Sequence, residues 1–168
     1  MLLQLKPLFL GEVESLPIAA EIDLSSLELG GTRPISQPVR VTGEARALSG
    51  MVILRATASF RYEGSCDRCA APLHREMEAP MEHMLVTSLS NEENDEFLLV
   101  DNYRLPLEEL TEADVILSLP SKILCREDCR GLCPVCGKDL NEGLCGCRTA
   151  EPGEPADARL AALKQLLD

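Results

Sequence analysis

Residues 51–69 read MVILRATASFRYEGSCDRC, and the alternation inside this stretch sets the fold class. Val52, Leu54, Ala56, Ala58, Phe60 and Tyr62 fall on one side of a period of two; Ile53, Arg55, Thr57, Ser59, Arg61 and Glu63 fall on the other. Such a pattern marks an antiparallel strand with one face on a core and the other in water. Upstream, VRVTGEARAL sets Val39, Val41, Gly43, Ala45 and Ala47 against Arg40, Thr42, Glu44 and Arg46, with Ser49-Gly50 as the turn between the two strands. Downstream, LHREMEAPMEHMLV alternates Leu73, Met77, Ala79, Met81 and Leu85 with His74, Glu76, Glu78 and Glu82. Pro80 has no N–H to give a ladder, which predicts an edge strand or a bulge. Three consecutive strands make an antiparallel meander, and Cys66-Asp67-Arg68-Cys69 then forms the tip of a hairpin.

The elements change on either side of the meander. MLLQLKPLFLGEVE at the N-terminus has one Lys, an interrupting Pro7 and acidic residues behind it. It lacks a signal-peptide pattern and reads as the first strand. After the meander comes an acidic loop, SNEENDE, then FLLV as a short strand. LPLEELTEADVILSLP predicts a helix with Leu107, Leu110, Asp114 and Leu117 along one edge, and Ala113 and Ile116 beside them. Thr111 is a second possible cap for a shorter helix, and Pro120 ends the element. AEPGEP is a linker, and DARLAALKQLLD predicts an amphipathic C-terminal helix with Leu160, Leu163, Leu166 and Leu167 on one stripe. The expected class is α+β: an antiparallel β-meander with a helix, a Cys-rich knuckle segment and a terminal helix. The expected division is a β-rich part over 1–120, the Cys-rich segment over 121–148, and linker with helix over 149–168.

Composition narrows the function. The 168 residues are 45% apolar with no Trp, so the core is aliphatic. No run approaches the ~18–20 apolar residues a membrane helix needs. A cytoplasmic location follows as an expectation, and in that reducing compartment eight cysteines point to metal before disulfides. Net charge is -12, which opposes diffuse binding to a phosphate backbone. The exception is 121–148, where Lys122, Arg126, Arg130, Lys138 and Arg148 face Glu127, Asp128, Asp139 and Glu142 for a formal +1. Thiolates on a metal would turn this segment negative again.

The cysteines fall into four short-spaced pairs: Cys66/Cys69, Cys125/Cys129, Cys133/Cys136 and Cys145/Cys147. Tetrahedral zinc takes four soft ligands, and a close pair already makes half a site. In CPVCG the turn aims backbone N–H groups at the first sulfur, and Gly137 closes it with positive φ. GKDLNEGL then returns the chain to Cys145 and Cys147. A local zinc site is therefore expected from Cys133, Cys136, Cys145 and Cys147. Cys66, Cys69, Cys125 and Cys129 remain for a second zinc that clamps the hairpin tip to the later segment, provided Cys125 and Cys129 share a helical turn. Other pairings stay open, including one in which Cys129 replaces a member of the local site. Iron–sulfur ligation is the main rival for the metal. On this reading, losing one site leaves the other loaded.

Catalysis is not expected. His74-x-Glu76 with Cys133-x-x-Cys136 is reminiscent of a zinc deaminase, but Pro134 lies inside the pair and His74 and Glu76 lie on a polar strand face. His83 reads as a strand residue. All-cysteine sites are closed and structural, and no Walker loop, Rossmann fingerprint or nucleophile elbow is present. The combination of CDRC, the acidic loop, LPSKILC and CREDCRGLCPVCGKDLNEG resembles the YceD family, described as large ribosomal RNA subunit accumulation proteins of bacteria and plastids. The resemblance implies a non-enzymatic role in maturation or accumulation of large-subunit ribosomal RNA. It also implies that Cys66 and Cys69 pair with the later cysteine segment. Arg126, Arg130, Lys138 and Arg148 are the expected contacts to RNA or the precursor particle; an acidic adaptor binding a basic partner such as a ribosomal protein is the alternative. Neither a small-molecule substrate nor a membrane is expected.

Overall fold

The computed structural model describes residues 1–88 and 96–147. Most of the acidic loop, Arg148, the linker and the expected terminal helix lie outside the described residues. The chain runs β1 (Leu2–Gln4), α1 (Lys6–Phe9), β2 (Ser15–Ile22), β3 (Val39–Leu48), β4 (Met51–Ser65), β5 (Pro72–Val86), β6 (Phe97–Leu99), β7 (Arg104–Pro106) and α2 (Leu107–Ser118). Strands β2 to β5 form an antiparallel meander, and β6 joins β5 in parallel at the far edge, in the order β2-β3-β4-β5-β6. The fold is α+β, with a mixed sheet one strand longer at each edge than the alternation of 39–86 suggests.

The first residues do form a strand, but β1 pairs with β7 in a separate two-stranded sheet, Leu3 opposite Leu105. The edge of the main sheet is instead β2, where Leu16, Ile18, Ala20 and Ile22 point inward. Pro17 obscures this strand in the sequence, yet an edge strand tolerates a residue without an N–H. Pro80 obeys a related rule: it lies on the solvent face of β5 opposite Thr57.

The inner face carries Ile18, Val41, Leu54, Ala58, Met81 and Leu85, which form one cluster with Leu8 of α1 and Leu107 and Val115 of α2. Burying one such side chain contributes about 1.5–3 kcal/mol. The buried stripe of α2 is Leu107, Thr111 and Val115, so the helix is turned from the expected face. Leu117 is 82% exposed, and Ile116 and Ala113 also face outward. Thr111 does not cap the helix; it is buried inside it, its hydroxyl donating to Leu107 O at 2.7 Å. This back-bond satisfies the hydroxyl and makes a polar residue fit the core. Asp114 keeps its place at the edge and meets His83 of β5, Nε2 to Oδ2 at 2.7 Å. The helix ends at Ser118, with Leu119 extended as the residue before a proline must be.

Gly43 allows β3 and β4 to coil closely. A Cβ there would lie 2.2 Å from Arg55 O and 2.4 Å from Ala56 Cα, backbone atoms that cannot swing aside. Gly43→Ala is expected to destabilise the sheet by about 1–3 kcal/mol, the cost of overpacking. A urea titration should show a lower midpoint with an unchanged slope.

Candidate metal centres

Strands β4 and β5 outrun β3. Pairing of β3 with β4 stops at Arg40–Ser59, while β4 and β5 stay paired to Ser65–Pro72. The last six residues of β4 thus form roughly 20 Å of two-stranded ribbon, propped where Glu63 N–H donates to Pro34 O at 2.7 Å. At its tip the chain turns sharply: Cys66 N–H donates to Ala71 O at 2.8 Å and Ala70 N–H to Cys66 O at 2.9 Å, with Ala70 at φ 58°.

The tip is met by the segment that follows α2. Asp67 N–H donates to Ile123 O at 3.0 Å, and Ile123 N–H returns to Asp67 Oδ2 at 2.5 Å. Arg68 Nη1 donates to Cys129 O at 2.8 Å while Arg68 O accepts Leu132 N–H at 3.2 Å. Arg75 Nη2 reaches Leu124 O at 3.0 Å. Gly131 has to be a glycine here, since its φ is 74° and a Cβ would sit 2.9 Å from Arg68 O. These bonds bring Cys66 Sγ to 3.7 Å from Cys129 Sγ and Cys69 Sγ to 3.6 Å from Cys125 Sγ. The expected helical turn between Cys125 and Cys129 is absent among the described residues. A turn closed by Cys129 N–H to Arg126 O at 3.2 Å aligns the two sulfurs instead.

The second group repeats the first in miniature. Cys133 N–H donates to Lys138 O at 2.8 Å, Gly137 N–H donates to Cys133 O at 2.9 Å, and Gly137 has φ 72°. CDRCA and CPVCG are therefore the same turn, with alanine in one where the other has glycine. Leu132 bridges Asp139, and the chain comes back to Cys145 and Cys147. Within each group, Cys66/Cys69/Cys125/Cys129 and Cys133/Cys136/Cys145/Cys147, all four sulfurs lie within 4.8 Å of one another, and either group could hold a metal ion. All eight thiols are free, and the 3.6 and 3.7 Å separations are far beyond a ~2.05 Å disulfide bond.

The thiols of each group are unequal. Burial opposes the Cys66 thiolate, but backbone N–H groups of Cys125, Arg68 and Cys69 outweigh it and bring its pKa to about 6. The backbone N–H groups of Cys136 and Val135 do the same for Cys133, also to about 6. Burial and the neighbouring sulfurs Cys129, Cys69 and Cys66 push Cys125 up to about 12. Cys147 rises to about 12 because Cys136 and burial both disfavour a further charge. For Cys69, the Ala71 N–H favours the thiolate, yet burial and Cys66 prevail and raise it. Each group thus holds one thiol whose thiolate is favoured near neutral pH, Cys66 in the first and Cys133 in the second.

Of the basic residues, Arg126, Arg130 and Lys138 are exposed beside the cysteines. Arg126 pairs with Asp128 at 3.4 Å, and Lys138 Nζ reaches Leu144 O at 3.5 Å. Arg148 lies outside the described residues. His74 stands opposite Glu63 across the ribbon, as a polar-face residue does. Asp67, Arg68, Arg75 and Asn141 hold the cysteines in place, a role that spacing alone does not mark. Asp67 and Arg68 are the variable positions of a CxxC turn.

A family model described as large ribosomal RNA subunit accumulation protein YceD matches residues 54–167, a span that includes all eight cysteines. The chain belongs to the YceD family. Membership ties it to accumulation of large-subunit ribosomal RNA, and the family is described as an accumulation factor rather than an enzyme. The chain is also similar, at 27% identity over 159 residues, to an uncharacterised protein of Mycobacterium tuberculosis, covering 90% of this chain and 70% of that one. An uncharacterised protein of Mycobacterium leprae is 27% identical over 149 residues, or 86% of this chain and 63% of the other. No solved structure matches the chain. Among the described residues, no helix is long and apolar enough to cross a membrane.

Two outcomes follow for this YceD-family turn chemistry. Ala70→Gly is expected to stabilise the protein by about 1 kcal/mol, since glycine adopts positive φ without the steric cost an L-residue bears. The urea midpoint should rise. Zinc added to reduced, metal-free protein at pH 7 should displace protons from Cys69, Cys125 and Cys147, because their folded pKa values lie above that pH. Raising the pH should reduce that proton release. Lowering it through about 6 should weaken binding as Cys66 and Cys133 protonate, and a pH-indicator titration would show both trends.

Proposed function

We propose that the protein is a non-enzymatic factor of ribosome assembly in the cytoplasm, stapled by two structural zinc ions, which supports accumulation of large-subunit ribosomal RNA. The observation that carries the metal reading is the spacing of the sulfurs. With zinc–sulfur bonds of about 2.3 Å, a tetrahedron has sulfur–sulfur edges of about 3.8 Å. The separations of 3.6 and 3.7 Å in the first group fit a single tetrahedral ion. In a cubane iron–sulfur cluster each thiolate binds a separate iron, which spreads the sulfurs wider than the 4.8 Å that contains each group. Four thiolates leave no open position, so the zinc supplies folding free energy and no reaction.

The working part in this reading is the segment over 121–148, held rigidly by the sheet over 1–120. Its exposed Arg126, Arg130 and Lys138, with Arg148 beyond the described residues, contact RNA or the precursor particle. Such contacts position the factor on phosphates without reading sequence. The net charge of -12 favours a second reading, in which an acidic adaptor binds a basic partner such as a ribosomal protein. Glu76, Glu78 and Glu82 form an exposed acidic row on β5 that suits it.

Elemental analysis of reduced protein should find two zinc ions per chain. Cells without the protein should lose mature large-subunit ribosomal RNA relative to small-subunit RNA. Replacing Arg126, Arg130 and Lys138 with Ser should weaken association with precursor particles and flatten its salt dependence by about one unit per lost phosphate contact. Unchanged association with intact zinc content would favour the adaptor and its acidic sheet face.

A further inference from the structure

The two cysteine groups look separable in sequence, yet one side chain reaches from one to the other. Asn141 lies in the excursion between Cys136 and Cys145, so its position depends on closure of the second group. Its Oδ1 accepts Arg130 N–H at 2.8 Å, and its Nδ2 donates to Asp139 Oδ1 at 2.7 Å and to Cys129 Sγ at 3.4 Å. These partners fix the amide orientation. Turned over, its amine would face the Arg130 N–H, and its oxygen would face a carboxylate and a sulfur. Asn141 N–H is itself held by Asp139 Oδ1 at 2.8 Å, and Leu140 N–H docks on Gly131 O at 2.9 Å. Cys129, the sulfur that receives the bond, is buried and belongs to the first group.

A thiolate that shares a divalent cation with three others retains much negative charge. An N–H donated to it spreads that charge and fixes the sulfur; such outer partners typically affect metal affinity 10- to 100-fold. We propose that Asn141 couples the two sites: metal on Cys133, Cys136, Cys145 and Cys147 holds Asn141 against Cys129 and so tightens retention of metal by Cys66, Cys69, Cys125 and Cys129. This inference rests on the reading of both groups as zinc sites. Linkage makes it reciprocal, because a loaded first site fixes Cys129 and Arg130, which in turn hold the excursion closed. The hairpin tip and the ribbon over 132–147 then lock as one unit.

Zinc transfer from the full chain to excess chromogenic chelator tests the coupling. In Cys136→Ser the second site is broken, so the remaining zinc reports the first site directly. Asn141→Ala is expected to accelerate release of the zinc held by Cys66, Cys69, Cys125 and Cys129 about tenfold. Asn141→Asp, which sets a carboxylate oxygen against Cys129, should accelerate that same zinc further. Cys136→Ser should show a comparable acceleration of its single zinc, and adding Asn141→Ala to it should change nothing more. Unchanged release in both Asn141 variants overturns the coupling. So does an additive effect in the double variant. Wild-type protein that binds no zinc overturns the zinc reading itself, a failure visible before any variant is made.

Discussion

The described segment that follows α2, residues 119–147, is anchored where the hairpin tip meets the turn around Cys125 and Cys129. The tip and its receiver are separated by the whole of β5, β6, β7 and α2. Closing so long a loop costs conformational entropy that grows only slowly with its length. Backbone exchange between Asp67 and Ile123, and the reach of Arg68 and Arg75 to carbonyls of 129 and 124, offset part of that cost. A few exposed or half-exposed hydrogen bonds contribute about 1 kcal/mol each at most. Four sulfurs gathered at the same point could hold a metal ion, and the free energy of binding one there would also be free energy of folding.

The aliphatic sheet and the cysteine segment divide the physical work. The sheet buries its inner face under α1 and α2 and is stable by ordinary apolar packing. The segment over 121–147 contributes little to that cluster: Ile123, Cys129 and Cys133 are its buried apolar residues. A stretch of that composition does not order itself by burial, and its turns are held by backbone bonds around the sulfurs. The surface of this segment carries Arg126, Arg130 and Lys138, all exposed, with Arg126 paired to Asp128.

The charge distribution also explains why binding to RNA would have to be local. A chain of net charge -12 is repelled by a phosphate backbone at a distance. If each group of four thiolates held a divalent ion, the added negative charge would be cancelled only in part. Contacts by Arg126, Arg130 and Lys138 would therefore act at short range, after another component has brought the particle close. The factor reading and the adaptor reading share this physical picture and differ in which surface closes first.

Much of this was legible from residues alone. The alternation over 39–48 and 51–63 marked β3 and β4, because a half-buried strand must put apolar side chains on one face. The short cysteine spacings showed the pairs, because a ligand turn of a few residues is a local feature. Other features needed the tertiary structure. Edge position made a strand out of 15–22 despite Pro17, and contact with β5 turned α2 onto Thr111 and Val115 instead of Ile116 and Leu117. Cys129 joins the hairpin tip through Arg68 and Gly131, its sulfur grouped with those of Cys66, Cys69 and Cys125. Only the folded chain sets the amide of Asn141 against a sulfur of the other group. Periodicity and spacing record what a residue does for its neighbours in sequence. Which distant groups share one point in space is decided by strand register and chain closure, which no local pattern encodes.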